Sequence, residues 1–440
     1  MSSAAPAQAL PAPMPLVAWR CHVALLVLLL TNFFTFAGRQ VVAVLLEPIK
    51  LEFGVSDSAL GLVAGVMFAL LYGLLCIPAG RLADRVNRRW LIAIGMATWA
   101  LATMACGWAS GFWTLVLFRL LVSFSETGVT PPSFALIPDY YPLHQRNQAI
   151  SIYLAGSALG SLAALAVGAW IANRYGWRAV FLSIGGPALV VSMLVAILVP
   201  EPGRATPGKA AEAKPVAPAS IQRVLWRLWR QPAVHWLVLG AGLSTFIGMA
   251  YIMWLPTFLV RNHGLSLQQA GVFVAIIGTA SSLIGGLSSS AVGKRLLRIN
   301  PRWTLGTPIV AMAICVVASI AVFAWPSDLR VSLFGLAMPQ ALLWGIPVGF
   351  ASAMWMPTVF TTMSIVVPAD QRALGNGLLA LSNTWIGFGL GPLAVGVLSD
   401  LLLPAFGSGN LRVALMITML TGLLALYCFL RASRAPGAAH

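Results

Sequence analysis

Charge is what this chain has least of. Only 9% of its 440 residues are Asp, Glu, Lys or Arg, against 59% hydrophobic residues and a mean hydropathy of +0.88. Soluble domains carry about a quarter of their residues charged, so a water-soluble globular fold is excluded. Cysteine is nearly absent too. Cys21, Cys76, Cys106, Cys315 and Cys428 stand singly in apolar stretches with no C-x-x-C spacing, so they read as small core residues with no redox or metal role. No G-x-S-x-G elbow, H-E-x-x-H or P-loop occurs, which leaves enzymatic chemistry and hydrolysis-driven pumping without sequence support and calls for no cofactor. His22, His144, His235 and His263 are dispersed near helix ends rather than clustered. The N-terminal "MSSAAPAQALPAPMP" has no basic n-region, so the first apolar segment is expected to be a retained helix rather than a cleaved signal.

What is present is length of apolar sequence. Crossing ~30 Å of hydrocarbon takes ~20 helical residues, and twelve runs qualify: 21–46, 59–79, 90–109, 112–137, 148–172, 178–199, 233–259, 268–292, 303–325, 331–358, 371–399 and 411–430. A membrane barrel would instead show short alternating segments. The fold class is an all-α membrane protein of twelve transmembrane helices.

Net charge is +16, but its distribution argues against nucleic acid. With the N-terminus placed inside, nineteen of the 27 Lys and Arg fall in inner loops and tails. Lys50, Arg174, Arg178, Arg261, Arg330 and Arg412 fall outside, and Arg39 and Arg119 lie within the membrane. This positive-inside asymmetry predicts an inner-membrane protein with both termini cytoplasmic.

A polar interval at 201–232 divides the helices six and six. It opens as a Pro/Ala/Lys linker and closes on "IQRVLWRLWR", whose spacing suits a short helix on the inner surface. The domains expected are a tail (1–20), a six-helix bundle (21–200), the linker (201–232), a second bundle (233–431) and a tail (432–440). P-x-x-Q-R recurs at Pro142 and Pro368, before helices five and eleven, as duplication would produce. Parallel six-helix repeats with a site between them near the midplane are one transporter architecture.

"GRLADRVNRR" (80–89) resembles the signature loop of the major facilitator superfamily, with Asn87 in place of a glycine. "LEPIKLEFGVSDSALGLVAG", "FALLYGLLCIPAGRLADRVNRR", "SETGVTPPSFALIPDYYP" and "YGWRAVF" narrow the resemblance to the spinster-like branch. The resemblance implies two pseudo-symmetric six-helix bundles and secondary transport by alternating access. It also implies a basic-end latch of Gly80, Asp84, Arg85, Arg88 and Arg89 with Asp139 and Arg146. Members with an assigned cargo move lysophospholipids or sphingosine phosphate, with apparent coupling to protons or ions. Two departures stand out: Gly38-Arg39 replaces the branch's Asp-Arg in helix one, and Ser123-Phe124-Ser125-Glu126-Thr127-Gly128 replaces its G-x-G-E-A-G run.

A charge at bilayer depth costs at least ~2.5 kcal/mol and should face the bundle interior with a partner. Glu126 is the one acid expected in mid-helix; it follows Arg119 by seven residues, so Arg119, Ser123, Glu126 and Thr130 share a stripe. Thr31 or Asn32, with Thr35 and Arg39, forms another on helix one. Arg39 is expected to pair with Glu126 and Arg119 to leave the group net positive, so that an anionic head group binds at Arg39 and a proton couples at Glu126. The second half has no mid-helix charge and offers Tyr251, Trp254, Trp355 and Asn383 to the same site. The reading is a monomeric, proton-coupled carrier of an amphipathic anion, embedded in membrane lipids. A carrier of small organic acids and a transport-inactive sensor of the same fold are the alternatives.

Overall fold

The computed structural model describes residues 18–83, 85–201, 218–299, 304–333, 336–368 and 371–435. Eleven helical stretches are long and apolar enough to span a bilayer. The last, Arg372–Ser433, reverses at Gly407, whose φ of 51° with ψ of −127° suits glycine alone, so it crosses twice and the helices number twelve among the described residues.

They are α1 (Trp19–Phe53), α2 (57–83), α3 (Arg88–Gly107), α4 (Phe112–Tyr140), α5 (Leu143–Tyr175), α6 (Trp177–Leu198), α7 (Pro232–His263), α8 (Leu267–Ile299), α9 (Gly306–Ala324), α10 (Gln340–Val366), α11 (372–406) and α12 (410–433). A separate linker helix, Pro218–Arg230, precedes α7. One expectation fails locally. The tenth run, 331–358, opens not as helix but as a hairpin, β1 (Arg330–Leu333) antiparallel to β2 (Leu336–Pro339), with Arg330 opposite Pro339. Short apolar runs fit either period, and Pro339 marks where α10 takes over.

The two halves pack alike: α1 lies on α5 and α3 on α6, while α7 lies on α11 and α9 on α12. The repeated P-x-x-Q-R forms the same turn twice, since the Gln145 amide donates to the Pro142 carbonyl and the Gln371 amide to the Pro368 carbonyl, each at 2.9 Å. Asn87 has a local use that the signature's glycine lacks. Its side-chain oxygen accepts from the Trp90 amide at 3.3 Å and caps α3.

The halves meet through α2 with α11 and α5 with α8. Small residues permit the approach: a Cβ on Gly61 would stand 2.6 Å from the Pro392 carbonyl oxygen, and one on Gly65 2.7 Å from that of Phe388. Three of these four helices contain π-helical turns, at Leu62–Val66, Ala275–Thr279 and Asn383–Leu390. Such turns interrupt the regular backbone ladder where the two bundles meet.

Candidate functional site

Glu126 sits where α4 breaks. Pro131 and Pro132 cannot donate to the preceding turn, and the Thr127, Gly128 and Val129 amides fall back on carbonyls three residues earlier. Opposite, Arg39 closes the first leg of α1. The two form an ion pair, Nη2 to Oε1, with the Glu126 side chain fully buried and that of Arg39 12% exposed. The guanidinium also lies on aromatic faces, 4.3 Å from the ring centre of Phe68, 4.9 Å from Phe36 and 5.1 Å from Tyr72. Arg119 is buried beside them, its Nη1 donating to the Gly38 carbonyl at 3.2 Å. Two buried cations thus face one buried acid.

The other stripe residues divide. Asn32 donates to the Tyr153 carbonyl and Ser123 to the Phe68 carbonyl, each at 2.8 Å, so their protons staple helices together, while Thr35 donates at 3.1 Å to the Asn32 carbonyl of its own helix. Thr130 Oγ1 is buried with no hydrogen-bond partner among the described residues. Trp99 accounts for Gly38. A Cβ at position 38 would stand 2.6 Å from Trp99 Cζ2 and 2.9 Å from Cη2, so the indole occupies the space a side chain there would need. Gly38→Asp is therefore expected to lower the melting temperature by several degrees, since overpacking a core costs about 1–3 kcal/mol. Differential scanning fluorimetry checks it.

In the second half a cavity of about 370 Å³ opens between α7, α8, α9 and α10. Its walls are apolar, with Met249, Ile252, Trp355 and Phe388 among them. The lining hydroxyls of Ser282, Ser319 and Ser352 donate to backbone carbonyls, whereas Tyr251 Oη has no partner among the described residues. Phe388 links the cavity to the charged site, its ring centre 6.1 Å from that of Phe68, the ring on which Arg39 rests. Trp254 is elsewhere: fully buried, it donates to the Pro392 carbonyl at 2.9 Å and joins α7 to α11. Asn383 accepts from Thr245 Oγ1 at 3.0 Å.

Of the basic-end latch residues, Asp84 lies outside the described residues. Arg88, Arg89, Asp139 and Arg146 bond within the first half. Arg88 pairs with Asp139 at 2.7 Å and Glu201 at 3.1 Å, the Arg89 guanidinium donates to the Ala196 carbonyl, and Arg146 donates to the Tyr141 carbonyl at 3.0 Å. Arg85 is exposed, and nothing lies within 4 Å of a Cβ built on Gly80.

Among the described residues, a set of bonds crosses between the halves at the opposite, acidic end. Arg261 on α7 pairs with Glu47 on α1 at 2.6 Å and chelates Asp57 on α2 at 2.8 and 3.0 Å. Lys50 and Ser399 add bonds to the fully buried Asp57 at 2.6 and 2.7 Å. Asp400 on α11 accepts from the Asp57 and Ser58 amides at 3.0 and 2.8 Å and from the Ser58 hydroxyl. A carboxylate from one half thereby caps a helix of the other, where the macrodipole favours negative charge. By sequence these acids fall at helix ends and carry no motif. The available signal was that the few outer-side bases are nearly matched in number by Glu47, Glu52, Asp57, Asp328 and Asp400, whereas the inner side is overwhelmingly basic. Arg261→Ala removes a hub with two partners and should expose residues beneath it. With the five native cysteines replaced, Leu60→Cys, at a position 1% exposed under the lock, should label from the acidic end at least about tenfold faster when Arg261→Ala is added.

Two pseudo-symmetric helical halves, a buried charge pair and a cavity between helices define a polytopic membrane carrier. The chain belongs to the Major Facilitator Superfamily, whose profile matches residues 28–392. It is 28% identical to an MFS-type efflux pump of Mycolicibacterium smegmatis over 94% of this chain and 93% of that one. It is 26% identical to protein spinster homolog 1 of Rattus norvegicus over 93% and 80%. A solved bacterial homologue of the human lysosomal transporter spinster, inward-facing and unoccupied, superposes with a TM-score of 0.78 at 27% identity, covering 94% of this chain and 97% of that one. The protein is a spinster-like major facilitator transporter.

Proposed function

We propose that the protein is a proton-coupled carrier that moves an amphipathic anion by alternating access, with its basic end in the cytoplasm of a bacterial inner membrane. One observation carries the reading: the Arg39 guanidinium, Phe68, Phe388 and the apolar cavity form a continuous path from fixed positive charge to oily volume. A charged head at Arg39 and a chain in the cavity would use both ends of it. The acidic-end lock and the tight α2–α11 and α5–α8 packing on that side support an inward-facing state. Helix α8 beyond residue 279 turns instead to α9 and α10.

Similarity to the Escherichia coli D-galactonate transporter, 25% identical over 92% of this chain and 94% of that one, supports the anion but not a polyhydroxylated one. Three cavity serines donate their protons to backbone carbonyls, which leaves few donors for a sugar acid.

Filling the cavity tests the assignment. Nothing lies within 4 Å of a Cβ built on Gly248 or Gly278, both in its wall, so larger side chains fit without moving backbone. Gly248→Leu is expected to abolish the rise in melting temperature that a lysophospholipid with a long acyl chain produces, and to leave any response to a short-chain anion such as butyrate unchanged. A thermal-shift series in chain length reads this out. If Gly248→Leu and wild type respond alike to every length, the chain does not enter this cavity.

A further inference from the structure

At the basic end of the second half, the linker helix and the adjoining ends of α7 and α12 present an aromatic and basic surface with no role in the site above. The linker helix docks through Leu228, which is fully buried, and turns Trp226 (60% exposed), Arg227 and Arg230 outward. From it a ladder of rings runs onto the membrane helices. The ring centre of Trp229 lies 6.0 Å from that of His235, His235 lies 4.6 Å from Trp236, and Trp236 lies 5.7 Å from Tyr427 on α12. Arginines lie against the surface: Arg230 stands 5.1 Å from the ring centre of Trp226 on the linker helix and Arg431 5.8 Å from that of Trp236 in the ladder. Among the described residues, none of the ion pairs involves Arg227, Arg230 or Arg431.

We propose that this surface binds the head groups of anionic diacyl phospholipids in the basic-end leaflet. Topology accounts for the sign of the charge but not for its interleaving with tryptophan. Indole and phenol rings settle at head-group depth, and an arginine resting on such a ring keeps its edge N–H donors free for phosphate oxygens. Each basic residue near an anionic bilayer surface strengthens attachment several-fold, and three unpaired guanidiniums on one short ladder make the attraction local. The occupant is a lipid of the bilayer rather than cargo, because the ladder stands on the outside of the second half while Arg39 is buried in the first.

The full-length protein, equilibrated in nanodiscs of phosphatidylcholine and phosphatidylglycerol at four to one and released in mild detergent, is weighed intact by native mass spectrometry. Wild type should retain phosphatidylglycerol in excess of its share of the bilayer. The triple variant Arg227→Gln, Arg230→Gln, Arg431→Gln should lose that excess by about tenfold while phosphatidylcholine retention stays unchanged. The corresponding triple lysine variant should keep most of it, and Arg39→Ala all of it. No preference in wild type, or an equal preference in the glutamine variant, would overturn the proposal. Loss in Arg39→Ala would assign the retained lipid to the transport site instead.

Discussion

Glu126→Gln is expected to leave substrate binding and counterflow exchange in place and to abolish accumulation driven by a pH gradient. The residue is the acid of a buried ion pair in the core of the first half, it is fully enclosed, and Arg39 and Arg119 are the cations around it. Ionised, the group carries a net charge of +1; with Glu126 protonated it carries +2. An arriving anion and a proton therefore favour each other at this site, and by reciprocity each strengthens the other's binding. Glutamine holds the protonated state's charge permanently, so binding persists and its pH dependence between roughly pH 5 and 8 should flatten. Uptake into proteoliposomes with only a pH gradient imposed, run beside counterflow without one, separates the two functions. Accumulation that survives in the glutamine variant would place the coupling on another group or another ion.

Arg39→Ala should weaken binding of the anionic substrate by at least about thirtyfold. Truncating one partner of a desolvated charge contact costs about 2–5 kcal/mol, and each 1.4 kcal/mol is tenfold. The substitution also strands Glu126, a buried acid with Arg119 as the remaining cation, so stability must be controlled. Arg39→Ala combined with Glu126→Gln removes that complication, and if the loss of affinity persists in the double variant it belongs to the substrate contact. Arg39→Lys should recover binding only in part, because the planar fork that rests on Phe68 while reaching Glu126 becomes a point charge. Affinity equal to wild type in the double variant would reduce Arg39 to a counter-ion.

The helices and the central pair were legible in the sequence for the same reason. A bilayer makes every charge expensive, so Arg39 and Glu126 stand out of apolar runs and have few partners to choose from. Three features were not legible. The hairpin at 330–339 is too short for its period to separate strand from helix. The acidic-end lock joins Glu47, Asp57, Arg261 and Asp400, residues up to 353 positions apart, and the packing of α2 on α11 and of α1 on α7 brings them together. The protons of Asn32, Ser123 and Trp254 look free on a helical wheel, yet each is donated to a carbonyl of a neighbouring helix. A polar stripe in a membrane helix marks the bundle interior, but whether it faces cargo or another helix is decided by backbone that the stripe does not contain.

The central claim is that a lipid-like anion crosses the membrane through this protein with its charge on Arg39. Tritiated lysophosphatidylglycerol offered to proteoliposomes, with albumin added afterwards to strip the outer leaflet, measures the inward fraction directly. Saturable protection from albumin is expected with wild type, rising when a pH gradient is imposed, and falling to the level of protein-free liposomes with Arg39→Ala. Protection by wild type no greater than that of protein-free liposomes would contradict it.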